Sequence, residues 1–160
     1  MVLIDGKKVS AEIRSCLKQE TVELKIKTDR MPGLATVLVG EDPASAVYVR
    51  NKNKICSEIG FQSFEQTLPA NTTEEQLLNL INDLNENDEV NGILVQLPLP
   101  DHIDSEKILL AIDPEKDVDG FHPINVGKLS IGSALLTPCT PTGIIVLLDN
   151  YGIEITGKHA

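Results

Sequence analysis

The chain has 160 residues, 41% of them hydrophobic, with 14 basic against 24 acidic side chains and a formal net charge of −10. That length suits one domain with a substantial core, and the apolar content argues against disorder. The acidic balance, with no basic run interleaved with aromatics, argues against nucleic acid as a partner. The opening MVLIDGKKVS has no long apolar core of a signal peptide, and no run approaches membrane-spanning length. Cys16, Cys56 and Cys139 are odd in number and far apart, which points to a reduced, cytosolic compartment. His102, His122 and His159 form no CxxC, HxH or HxxxH pairing, so no metal site is expected.

In chain order, Ser10 reads as the N-cap of a first helix whose apolar face carries Val9, Ile13, Leu17 and Leu24. Ala35 to Val39 is a continuous apolar run, the pattern of a strand covered on both faces. Asp42 and Pro43 then open a second helix that Gly60 closes. Phe61 to Leu68 is a weaker strand ended by Pro69, and Thr72 with Glu75 forms a capping box for a third helix buried through Leu77, Leu78, Ile81 and Leu84. Gly92 to Leu97 is a strand that is apolar but for Gln96, and Ile103 and Ile108 can staple a short helix capped by Asp104. Asp113 to Leu129 reads as loop, and Thr140 with Pro141 opens a last helix that Gly152 can end. Alternating strands and helices predict an α/β fold of three layers, a mainly parallel sheet flanked by helices.

Ligands of parallel sheets collect beyond the carboxyl ends of the strands. The helix after the first strand places Tyr48, Lys52, Ile55, Cys56 and Ile59 at helical spacing on one face, with Arg50, Asn53, Lys54 and Ser57 elsewhere. An ammonium on an apolar stripe loses hydration, which favours the neutral amine that takes or relays a proton. The plainer reading is a lysine that extends its head to water beside a tyrosine at the core edge.

Gln96 ends an apolar strand, so its amide must be paired if buried; it can orient a water, bind a ligand, reach Lys52 or satisfy a loop. Asp117 and Asp119 flank Val118, and in extended backbone both point to one side, where a carboxylate can accept the paired N–H donors of an aminopyrimidine-like edge. Cys139 lies near a helix N-terminus but has no histidine near it in sequence, and a small buried thiol is the commoner case. No two glycines stand two apart, so the dinucleotide fingerprint G-x-G-x-x-G is absent.

Taken in order, YVRNKNK, VQLPLP, PEKDVDGF, INVGKL and PCTPTG resemble the bifunctional methylenetetrahydrofolate dehydrogenase/methenyltetrahydrofolate cyclohydrolase family, and the likeness runs from LIDGKKVS to the last residue. The resemblance implies an N-terminal folate-side α/β domain followed by a Rossmann-type NADP domain, with homodimers, a cytoplasmic location and no membrane partner. It divides the chain into residues 1–136, the folate-side catalytic domain, and 137–160, a linker helix toward a missing cofactor domain.

Carried over by motif, Lys52 is similar to the catalytic lysine of the cyclohydrolase step, Tyr48 to the residue that packs on and positions the folate, Gln96 to the partner of the lysine, and Asp119 to the carboxylate on the pterin edge. The implied chemistry is oxidation of 5,10-methylenetetrahydrofolate with NADP, then hydrolysis to 10-formyltetrahydrofolate. The alternatives are a non-catalytic α/β small-ligand-binding module and a dimerisation domain.

Overall fold

The first helix starts before Ser10. In the computed structural model, which describes residues 3–159, α1 spans Gly6–Thr28 and Asp5 caps it, its carboxylate accepting from the N–H groups of Lys7 at 3.0 Å and Lys8 at 3.1 Å. A carboxylate both satisfies first-turn donors and complements the helix dipole, so Asp5 takes the place expected of Ser10. Of the α1 stripe only Val9 is fully buried, while Ile13 and Leu24 stay exposed.

Strands β1 (Gly33–Val39), β2 (Gln62–Leu68) and β3 (Gly92–Val95) form one parallel sheet in the order β2-β1-β3, with Ala35 opposite both Phe64 and Ile93. Parallel neighbours need crossovers, which α2 (Pro43–Ile59) and α3 (Glu74–Glu86) supply. Successive residues of β1 serve opposite faces. Ala35, Val37 and Val39 join Ile93 and Val95 in a dry core with Leu77, Ile81 and Leu84 of α3 and with Ile103, Ile108 and Ile112 around α4 (Ser105–Ala111). Burying each such Leu or Ile is worth about 1.5–3 kcal/mol, so this face sets the rigidity of the sheet. On the other face Thr36 donates to Asn53 Oδ1 of α2 at 3.0 Å, and α1 packs outside α2. The expected three-layer α/β fold is therefore present.

Differences from the expectations lie at element ends. The capping box uses Thr73 and Gln76, one residue later than Thr72 and Glu75; Thr72 is buried and donates its hydroxyl to Pro69 O instead. Asp104 caps α4 between buried Ile103 and Ile108, as expected. Residues read as loop contain α5 (Pro123–Ser130), opened by Pro123 at its first position and by His122, whose Nδ1 accepts from Ile124 N–H at 3.2 Å. The last helix, α6 (Cys139–Asn150), starts after Pro138, with Thr140 and Pro141 inside its first turn and no side-chain cap. Tyr151, just past it, ties it to the start of α1 by accepting from Asp5 N–H at 2.8 Å.

Lys116 closes the end of α3, its ammonium donating to the carbonyls of Leu84, Asn85 and Asn87 at 3.2, 2.6 and 2.9 Å. A cation there satisfies orphan acceptors and complements the dipole. Lys116→Met is expected to lower stability by about 1–3 kcal/mol, read as a lower urea midpoint. No described helix is long and apolar enough to cross a membrane, and the described residues hold no cluster of three or more His, Cys, Asp or Glu placed for a metal ion.

Candidate functional site

Helix α2 is pinned at both ends, and this places Lys52. Asp42 accepts from Ser45 N–H at 2.7 Å, and the Ser45 backbone and then its hydroxyl hold the Asp42 carboxyl below its ordinary value. The helix ends at Gly60, whose φ of 88° is left-handed and whose N–H bonds back to Cys56 and Ser57 carbonyls. The buried stripe runs through Ser45, Val49, Asn53, Cys56 and Ile59. Asn53 thus belongs to the packed face and not outside it, because its amide oxygen takes the hydroxyls of Thr36 and Ser63. Tyr48 and Lys52 flank that stripe, the tyrosine 59% exposed and the lysine half-buried. Burial pushes the Cys56 thiol up, which keeps it an inert core group.

Beside α2 a cleft of about 820 Å³ opens over β3. Leu34, Gly92 and Leu94 form its floor; the 118–121 turn and the first turn of α6 form its far wall. Tyr48, Lys52, Gln96 and Asp119 all line it. The Lys52 ammonium lies over the Tyr48 ring, 4.7 Å from its centroid, an attraction worth about 0.5–1 kcal/mol in an open setting. Sequence spacing foresaw this pairing, since residues one helical turn apart meet on the surface.

Asp119 faces the same space. Burial pushes its carboxyl above the ordinary value, the Lys52 charge opposes this, and the Asp117 charge adds to it. The two aspartates do not share a side. The backbone turns between them, with Gly120 N–H bonded to Asp117 O at 3.2 Å, so Asp117 is buried at 2% exposure while Asp119 reaches the cleft. Gly120 has φ +67°, and a Cβ there would stand 3.0 Å from Pro138 N, so conformation and space both require glycine.

Gln96 lies just past β3. Its side-chain amide donates to Leu97 O at 2.7 Å, and among the described residues no hydrogen bond joins it to Lys52, though both line one cleft. Cys139 is exposed at the start of α6, and its thiol donates weakly to Val118 O at 3.6 Å. Phe61 and Phe121 also line the cleft, and sequence reasoning passed over them. Their signal was an aromatic directly after Gly60 and after Gly120, where a helix or turn stops beside the sheet. Two other grooves exist: one of about 630 Å³ carries Lys25 and Arg30 with Asp88 and Glu89, and one of about 810 Å³ lies between α1 and α6. The first cleft joins apolar walls to Lys52, Gln96 and Asp119, polar groups able to orient a flat heterocycle.

Residues 4–119 match the family model described as tetrahydrofolate dehydrogenase/cyclohydrolase, catalytic domain. Among curated relatives, bifunctional protein FolD of Acetivibrio thermocellus is 56% identical over 157 residues, covering 98% of this chain and 55% of its own length. FolD of Streptococcus gordonii is 54% identical over 158 residues, covering 99% and 56%. The chain therefore spans about half the length of the relatives it matches. The crystal structure of the FolD methylenetetrahydrofolate dehydrogenase/cyclohydrolase of Campylobacter jejuni superposes with a TM-score of 0.96 at 51% identity, over 99% of this chain and 56% of that one. The Trypanosoma brucei enzyme, solved with NADP cofactor and an inhibitor, gives 0.95 at 42% identity over 98% and 54%.

Proposed function

Because this chain belongs to the tetrahydrofolate dehydrogenase/cyclohydrolase family, we propose that it is the folate-side half of an enzyme that oxidises 5,10-methylenetetrahydrofolate with NADP and hydrolyses the methenyl product to 10-formyltetrahydrofolate. The observation that carries this reading is the Lys52 ammonium seated over the Tyr48 ring in a cleft shared with Gln96 and Asp119. In it Asp119 takes the amino and ring N–H donors of the pterin edge, Tyr48 packs on the folate and positions it, and Lys52 stands at the one-carbon bridge. Water adds through its oxygen to the bridge carbon. Lys52 takes one of its protons as it hands an ammonium proton on to solvent, the other goes to N5 of the folate as the bond from the bridge carbon to N5 breaks, and the formyl group stays on N10. Gln96 supports this step by holding the water or the lysine.

NADP would supply the hydride acceptor only if held by residues outside this cleft. The cleft residues do not themselves fit a dinucleotide: Lys52 is the one Lys or Arg among the described residues lining it, and the glycine fingerprint for a pyrophosphate is missing. The reading accordingly assigns NADP mainly to a Rossmann-type domain outside this chain, with residues 1–136 as the catalytic unit and 137–160 as the link to it. A homodimer of the whole enzyme, a cytoplasmic location and a supply of one-carbon units to purine, methionine and histidine biosynthesis complete the proposal.

The test is the decay of 5,10-methenyltetrahydrofolate, followed by its near-ultraviolet absorbance. Decay faster with the chain than in buffer is expected. Equal rates would count against catalysis by this half and leave a ligand-binding or dimerisation role.

A further inference from the structure

Asp117 is a buried aspartate, 2% exposed, with no part in the reaction proposed above. Asp117 pairs with the edge of β3: Ile93 N–H donates to Lys116 O at 2.7 Å, and Ile93 and Asp117 form a parallel bridge. Its carboxylate, Oδ2, accepts from His122 N–H at 2.8 Å and from the Asn125 amide at 2.9 Å. Asn125 is itself 1% exposed and donates its other N–H to Pro114 O at 2.8 Å. One carboxylate thus holds both ends of the segment that turns through Val118, Asp119 and Gly120. The middle of the segment is held by shape, since Gly92 leaves the hollow into which Val118 fits; a Cβ at Gly92 would stand 2.4 Å from Val118 Cγ1.

A buried charge with charge-assisted bonds is costly to disturb and has one geometry. An apolar residue would fill the same space without that directionality. We propose that Asp117 is the positioning residue for Asp119, its carboxylate clamped by His122 N–H and the Asn125 amide so that the 117–120 turn presents Asp119 to the cleft opposite Lys52. This deepens the reading above and rests on it only for the ligand that reports the effect.

The test is a double-mutant cycle on the full chain, with the affinity for 5-formyltetrahydrofolate measured by calorimetry. Asp117→Asn keeps an acceptor for both donors, and its new amide can turn to Asn125 Oδ1, which is buried without a donor. Expected is a roughly tenfold loss of affinity that disappears when Asp117→Asn is made on an Asp119→Asn background. A positioning residue acts through its target alone, whereas a merely structural one would weaken binding equally in both backgrounds. Additive losses, or no loss from Asp117→Asn, overturn the proposal.

Asn125→Ala serves if Asp117→Asn fails to fold, and it leaves the Asp117 charge in place. In it the carboxyl-carbon NMR titration of Asp119 is expected to move down toward that of an exposed aspartate as the turn loosens. Lys52 from α2 and Asp117 from the same turn are the charged groups that act on Asp119, and the Cys139 thiol of α6 lines the same cleft; all three are unchanged in that variant. An unmoved titration overturns the positioning role. Should Asp119→Asn itself leave affinity unchanged, the pterin assignment fails alone, and the Asn125→Ala titration still decides the role of Asp117.

Discussion

Lys52→Met is expected to return the decay of 5,10-methenyltetrahydrofolate to its rate in buffer, losing whatever acceleration the chain provides, up to the ~10²–10⁴-fold of a general acid or base. Methionine keeps the unbranched stem and much of the contact with Tyr48, so the change is confined to the ammonium. The accompanying loss of stability is modest: the contact with the exposed Tyr48 ring, about 0.5–1 kcal/mol, goes together with the attraction of Lys52 for the Asp119 carboxylate, and among the described residues Lys52 forms no salt bridge. The two readouts separate chemistry from folding: the rate collapses while the melting temperature hardly moves. A variant that melts normally and still accelerates decay would remove Lys52 from the mechanism.

Asp119→Asn is expected to weaken folate binding by roughly 10–100-fold, the worth of charge-assisted hydrogen bonds, and to make the protein more stable at neutral pH. The signs follow from one cause. Burial raises the Asp119 carboxyl in the folded state above its unfolded value, so the folded protein holds this proton more tightly. Stability from this group is thus greatest below the unfolded value and declines as pH rises through the folded one. Above that point the charged carboxylate is a standing cost, reduced by Lys52, and an amide avoids it. Under the proposed pterin contact ligand affinity is expected to run the other way, because such an edge needs the ionised form; in the intact chain it would fall on acidification at a higher pH than an exposed aspartate would give. Urea midpoints and calorimetric affinities at neutral and acidic pH check both arms. Equal affinity, or a loss of stability, contradicts the assignment.

Much of this was legible in the residues, for physical reasons that can be named. The apolar runs around Val37 and Ile93 read as covered strands because β1 is buried at every position but Leu34 and β3 at every position, and Asp42, Pro43 and Gly60 bounded α2 because capping chemistry is local. The Tyr48 and Lys52 pairing followed from a fixed helical period. What stayed hidden depends on distant partners. Asn53 looks like a surface residue until Thr36 and Ser63 approach it from two strands, and Asp117 looks like a twin of Asp119 until His122 and Asn125 fold back beneath it. The helix at Pro123 was masked by its short length and by a histidine cap, which is not among the usual capping residues. Ser10 and Thr72 are good caps in the wrong place, each outcompeted by a neighbour, Asp5 and Thr73, that sits where the chain enters the helix.

A folate held in one cleft between Tyr48, Lys52 and Asp119 is read out residue by residue by amide chemical-shift mapping with 5-formyltetrahydrofolate. Expected are saturable shifts centred on Tyr48, Lys52, Gln96 and the Asp119–Phe121 turn, with the groove at Lys25 and Arg30 and the groove between α1 and α6 unmoved. Shifts centred on either of those grooves, or none at ligand concentrations that saturate folate sites, would contradict it.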